Sequence, residues 1–195
     1  MPLVETQCAY LQRLRPYLLV SAALLGIGIA IGLMTISHFP GVADRFEESV
    51  AGFVKMFRGL PKWRLAGAIF LNNSVKALLV ILLGPVLGVI AALFLVINGA
   101  AIGIVIYLSS RSRGFWLSLL TILPHGLLEI PAVLLGTSIG LMLGGHVIKR
   151  CFGKRETALG SELGQALKFF LLVIVPLLFV AALVEVFVTP VVAKL

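Results

Sequence analysis

Four stretches of the chain run apolar for about the length needed to cross some 30 Å of hydrocarbon at 1.5 Å of helical rise per residue. Tyr17–Ile36 contains no charge, Leu65–Leu83 contains only Lys76, and Val86–Leu108 contains none. Gln165–Val188 ends near Pro190, with Lys168 placed to snorkel at one end and Glu185 near the interface at the other. Each predicts a spanning helix. Residues 37–64 follow another pattern. Val42, Phe46, Val50, Phe53 and Phe57 recur at the helical period, while Asp44, Arg45, Glu48, Lys55 and Arg58 lie largely elsewhere. That predicts an interfacial amphipathic helix at 42–58, with a re-entrant or partner-binding helix as alternatives. Residues 1–16 read as a short interfacial stretch.

The segment 115–148 is harder to place. As one straight helix it would be roughly 50 Å long, too long for one perpendicular span and slightly short for two. Pro124 and Pro131 interrupt it, so a broken helix or a tight hairpin is expected. Beyond them, Gly136, Gly140 and Gly144 recur every four residues, a helix-packing face. Ala22, Gly26 and Ala30, with Gly28 and Gly32, offer a second face for close approach. The fold class is therefore all-α: a polytopic transmembrane helical bundle, expected to form a single integral membrane domain over 1–195.

Composition agrees with the pattern. Of the 195 residues, 60% are hydrophobic and 12% charged, against about 25% charged in a soluble domain. The net charge of +8 is carried by basic clusters between apolar runs. It points to anionic lipid headgroups rather than nucleic acid. If 115–148 returns to its own side, the basic loops share one face; if it crosses once, they split. The positive-inside rule favours the first arrangement, opposed by Arg13 and Arg15. Those two arginines resemble a signal-peptide flank, but the long apolar run and the spans that follow favour a retained first helix. Cys8 and Cys151 are isolated and predict no disulfide framework.

The chemistry lies in the polar groups inside the apolar runs. "LNNSVKALL" puts Asn72, Asn73 and Lys76 in the second span, and Asn98 sits mid-way along the third. In "PHGLLE", His125 and Glu129 are four apart and share a helix face. A charge at the bilayer centre costs about 2.5–3.5 kcal/mol on insertion scales, so these six side chains are expected to converge inside the bundle as an ion- or solute-binding cluster. The plainer reading is structural: asparagines bridging helices and a Lys76–Glu129 pair fixing their arrangement. His125 and Glu129 alone are not a zinc site, and no catalytic motif is complete, so no enzyme is expected. Metal and cofactor both stay unassigned.

"FLNNSVKALLVILLGPVLG" at 70–88, "VINGAAIG" at 96–103 and "ILPHGLLEIPAVLLGTSIG" at 122–140 resemble the stage II sporulation protein M family of integral membrane proteins. The likeness covers roughly residues 15–190. It marks Asn72, Asn73, Asn98, Gly99, Pro124, His125, Gly126, Glu129 and Pro131 as family-type positions. The resemblance implies a polytopic helical protein with about five spans of membrane length. In endospore-forming bacteria the named member acts in engulfment beside membrane-associated cell-wall hydrolases, and relatives also occur in organisms that do not sporulate. It implies no settled biochemical activity for these positions.

Two functions fit a multi-pass protein of the cell membrane with this sequence. One is a channel or secondary transporter for an ion or small polar solute, using the intramembrane cluster. The other is a non-enzymatic scaffold organising membrane-protein partners through helix 42–58 and the basic loops. Membrane lipids are the expected surroundings. The glycine faces admit a small homo-oligomer, with a monomer as the alternative.

Overall fold

A computed structural model describes residues 2–39, 41–57, 59–153 and 158–189. The helices are α1 (Pro2–His38), α2 (Gly41–Phe57), α3 (Lys62–Leu83), α4 (Val89–Arg113), α5 (Phe115–Cys151), α6 (Leu159–Phe169) and α7 (Val175–Phe187). A π-helical turn, Phe170–Ile174, joins the last two. Among the described residues five helical segments are long and apolar enough to cross a membrane: Gln7–His38, Lys62–Leu83, Val89–Arg111, Gly126–Cys151 and Leu159–Phe187. The protein is a polytopic membrane bundle. Its outer faces carry Leu19, Ile27, Ile31, Leu79, Leu82, Leu171 and Phe179, all exposed. In water such faces would aggregate; against acyl chains they need no cover.

The closest helix contacts are made by small residues, because helices between lipid-like neighbours gain most from close backbone approach. α1 and α4 run parallel and meet through two Gly-x-x-x-Gly pairs. Cβ atoms on Gly28 and Gly99 would stand 2.5 Å from the Val96 carbonyl and fall on the Leu25 carbonyl, respectively. Those on Gly32 and Gly103 would fall on the Ala100 and Ile29 carbonyls. α5 is the central helix. Gly140 meets Val80 and Ala91, and Gly144 meets the backbone of Gly88. Gly136 makes ordinary contact with Ala77. The α3–α4 connection, residues 84–88, is tight: Leu87 and Gly88 both have positive φ, 52° and 71°. Gly88 has no Cβ to resist either that conformation or the approach of Gly144.

Residues 115–151 form one joined helix, α5. The break or hairpin expected over 115–148 is not a reversal of the chain. The charge argument for a same-side return gives way to packing, since α5 runs antiparallel to α1 from Ser138 beside Ser21 to Gly145 beside Tyr17. The basic clusters consequently split, with Lys149 and Arg150 near the start of α1 and Arg111 near the start of α3. α1 is also longer than expected. Residues 2–16 continue the helix instead of forming a separate interfacial stretch, and Tyr10 and Leu14 are buried against Ala166 and Phe169. In the last span, the π turn immediately precedes Pro176. A proline there has no N–H to donate and its ring would strike the carbonyl four residues back; the wider turn relieves both. The Val175 N–H reaches the Phe170 carbonyl instead.

α2 takes the place of the predicted amphipathic helix. It exposes Asp44, Arg45, Glu47, Glu48 and Lys55 and half-buries Val42 and Phe46. The side chains of Val50, Phe53 and Phe57 and residue Arg58 lie outside the described residues. The ends of the spans near α2 carry an aromatic and basic girdle of the kind found at membrane–water interfaces. Trp63 and Trp116 are exposed, the Arg64 guanidinium lies 5.0 Å from the Trp63 ring centre, and that of Arg111 lies 5.9 Å from Tyr107.

Candidate functional site

Gly99 faces α1, which turns Asn98 of α4 towards α5. There the amide of Asn98 donates to the Phe94 carbonyl at 2.7 Å. On α5, Gly136 and Gly140 face α3, so Glu129, two turns earlier, projects into the space between α3, α4 and α5. A small cavity of about 30 Å³ lies there, lined by Asn73, Lys76, Asn98 and Glu129 together with Ala77, Val80, Phe94, Val133 and Thr137. That is room for roughly one or two waters. Thr137 adds little polarity, because its hydroxyl donates to the Val133 carbonyl of its own helix at 2.7 Å.

Four of the six polar residues expected to converge thus line one cavity. Asn72 does not line it. It lies exposed on the outer side of α3 and donates to the Asn73 side-chain oxygen at 3.3 Å. Lys76 lines the cavity but is itself exposed, so the cluster is not closed off from the outside of the bundle. His125 falls on α5 one turn before Glu129, and its side chain lies outside the described residues.

A second, larger cavity of about 350 Å³ lies between α1, α4, α5 and α7. Its walls are largely apolar, with Leu25, Ala101, Ile102, Val105, Ile130 and Val133, and its polar lining is Asn98, Glu129, Glu185 and Thr189. Asn98, Glu129 and Val133 belong to both cavities and form the partition between them. One carboxylate oxygen of Glu129 has no access to solvent. Glu185 was expected only as an interfacial residue. Its signal in the sequence is a carboxylate inside an apolar span, the same signal that singled out Glu129.

A further polar pair ties α1 to α5 along their length: the Ser21 and Ser138 hydroxyls, both buried, lie 2.9 Å apart. At the end of the bundle where α1 begins, the Arg13 guanidinium donates to Glu162 at 2.7 Å and to Gln165 at 3.2 Å. Glu162 is 1% exposed. Among the described residues, no group of three or more His, Cys, Asp or Glu side chains is placed to hold a metal ion.

The family model described as Stage II sporulation protein M matches residues 21–190. The chain belongs to the stage II sporulation protein M family. Both cavities, the α1–α4 glycine contact and the Ser21–Ser138 pair fall within the matched residues, whereas Arg13 lies before them. The chain is also similar to an uncharacterized protein of Methanocaldococcus jannaschii, 26% identical over 179 residues, which cover 90% of this chain and 95% of that protein. No solved structure matches.

Proposed function

We propose that this chain is a non-enzymatic membrane scaffold that organises partner proteins, in the manner of sporulation-type membrane remodelling. Family membership supports this reading, and one observation carries it: α2. It is a helix of seventeen residues between two spans, and it presents Asp44, Arg45, Glu47, Glu48 and Lys55 to the outside. A charged helix held at the surface by a rigid bundle is a docking element for a partner at the same membrane. A small homo-oligomer fits the same reading, since Asn72 and Lys76 on the outer side of α3 are costly against acyl chains and gain cover from a second copy.

A second reading has its own support. Asn73, Lys76, Asn98 and Glu129 line one cavity at mid-span depth, which suits passage of an ion or small polar solute. One experiment separates the two. Cells lacking the native chain receive either an α2 variant (Asp44→Ala, Arg45→Ala, Glu47→Ala and Glu48→Ala together) or Glu129→Gln. Their membrane-remodelling phenotype and in-cell cross-linking of α2 are then measured. The scaffold reading expects loss with the α2 variant and retention with Glu129→Gln. The reverse result, with both proteins present at wild-type levels, sinks the scaffold and leaves the solute reading.

A further inference from the structure

We propose that the outer face of α3 docks a membrane-spanning helix of a partner protein, and that this partner brings an aspartate or glutamate at mid-bilayer depth to pair with Lys76. The inference rests on the scaffold reading above and names the chemistry of a partner it organises.

The face is a stripe. Asn72, Lys76, Leu79 and Leu83 follow one another at helical spacing, which keeps them on one side of α3, and all four are exposed. Leu79 and Leu83 are at home against acyl chains. Asn72 and Lys76 are not. Asn72 donates to the Asn73 side-chain oxygen at 3.3 Å, and among the described residues its own side-chain oxygen accepts no hydrogen bond. Lys76 is the costlier of the two. It stands about 10 Å of helical rise before the last residue of α3. Side chains on a helix lean towards its N-terminus, which directs Lys76 away from the nearer membrane surface, so snorkelling brings little relief. Its side chain lines the small cavity of about 30 Å³ instead. That space holds roughly one or two waters, fewer than the three N–H donors of an ammonium engage. Among the described residues Lys76 makes no hydrogen bond and no ion pair.

An exposed cation at span depth calls for an anion from outside the bundle, and the source of that anion decides the occupant. Lipid phosphates lie at the membrane surface, beyond the reach set by the lean of the side chain. A second copy of the chain shields Asn72 and Lys76 from acyl chains but supplies no anion. Among the described residues the acidic side chains within the spans are Glu129, Glu162 and Glu185, and none of them is exposed. An isologous contact of α3 on α3 would also set one Lys76 against the other. A helix of another protein can carry its carboxylate at the matching depth. Alone in the bilayer such a helix meets the same penalty as α3. Brought together, the two charges attract strongly in a medium of low dielectric constant, and each removes the other's cost. One turn away, Asn72 offers an amide N–H and a carbonyl oxygen to the same partner.

The test places the full chain in nanodiscs with a synthetic spanning peptide of leucine and alanine that carries one central glutamate, or a glutamine in its place. Leu79 is replaced by a photo-crosslinking residue, so that capture reports contact on the stripe. The glutamate peptide is expected to be captured at about a fivefold lower concentration than the glutamine peptide, or better. Lys76→Met is expected to abolish that preference, and Lys76→Glu to transfer it to a peptide with a central lysine. Three results overturn the proposal: equal capture of the two peptides, a preference that survives Lys76→Met, or chain-to-chain cross-links that neither peptide displaces, which assign the face to a second copy. If Lys76→Met does not elute as a single species, the two peptides on the chain with Lys76 intact decide. The cell experiment above keeps the two levels apart. No glutamate preference, with the α2 variant still defective in cells, removes this inference and leaves the scaffold. An α2 variant that works in cells while Glu129→Gln fails removes the scaffold, whatever the peptides do.

Discussion

Glu162 and Glu129 are both carboxylates held by membrane-spanning segments, and the bundle treats them differently. Glu162 is 1% exposed and receives the Arg13 guanidinium at 2.7 Å, in a corner packed with Tyr10, Leu14, Ala166 and Phe169. Around Glu129 the helices part, leaving cavities of about 30 and 350 Å³ on its two sides. The first environment spends its carboxylate on holding α1 against α6. The second leaves room beside its carboxylate, and room beside a charge is what a ligand or water needs. The difference teaches that an acidic residue in an apolar run is not one signal. Its meaning depends on whether the neighbouring helices close over it.

The glycine contact between α1 and α4 sets the spacing on which the cavity half depends, so it offers the most severe way to break the contrast. Gly32→Leu forces a side chain into the Ala100 carbonyl of α4. Overpacking of this kind against backbone should cost about 3 kcal/mol or more, seen as loss of a single folded species in size-exclusion chromatography. Retention of the wild-type profile would show that the two helices separate freely. Next in size is Arg13→Ala, which leaves Glu162 buried without its guanidinium. Loss of one partner of a fully buried pair costs about 3–5 kcal/mol. The Arg13 side chain is 42% exposed, so about 2 kcal/mol is expected here, with Glu162→Gln costing about half as much. Thermal unfolding in detergent measures both, and a larger loss for Glu162→Gln would reverse the assignment of which charge is stranded.

Smaller effects sharpen the picture. Ser21→Ala removes one half of a buried hydroxyl pair and should cost about 0.6 kcal/mol, the average for polar contacts between spans. A double-mutant cycle with Ser138→Ala isolates the coupling. Glu129→Gln keeps shape and exchanges one acceptor oxygen for an N–H donor beside a cavity that gives the amide room to turn, so it should change stability by about 1 kcal/mol or less. A drop comparable to that of Arg13→Ala would place Glu129 with Glu162 as a structural group, and the distinction between the two would disappear.

The spanning helices were legible because uninterrupted apolar runs of membrane length admit few other structures. α2 was legible because its apolar positions keep a helical period among charges. Rotation about the helix axis was not legible. α3 and α4 are apolar nearly all round, so nothing in their pattern says which face turns inward. That is why Asn73 and Lys76 could be named with Asn98 and Glu129 while Asn72, one residue away, lies on the outside. Nor did the pattern of residues 2–16 reveal a continued helix. Their polar side chains read as interfacial, yet Tyr10 and Leu14 find partners in α6, and Arg13 pairs with a residue 149 positions later. The π turn left only Pro176 as a trace. At 115–148 the sequence left a break or a hairpin open because two prolines normally interrupt a helix. α5 continues through them, and packing along α1, α3 and α4 supports the stretch beyond.

The α1–α4 contact also has a consequence for biogenesis. Roughly 70 residues separate Gly32 from the carbonyl of Ala100 that it meets, several seconds of translation at about 5–20 residues per second. For that interval α1 sits in the bilayer with its flattest side unclaimed, while α2 and α3 are still being made. An insertase or a neighbouring nascent chain that shelters that side would smooth assembly. One that holds it too long would delay the arrival of α4.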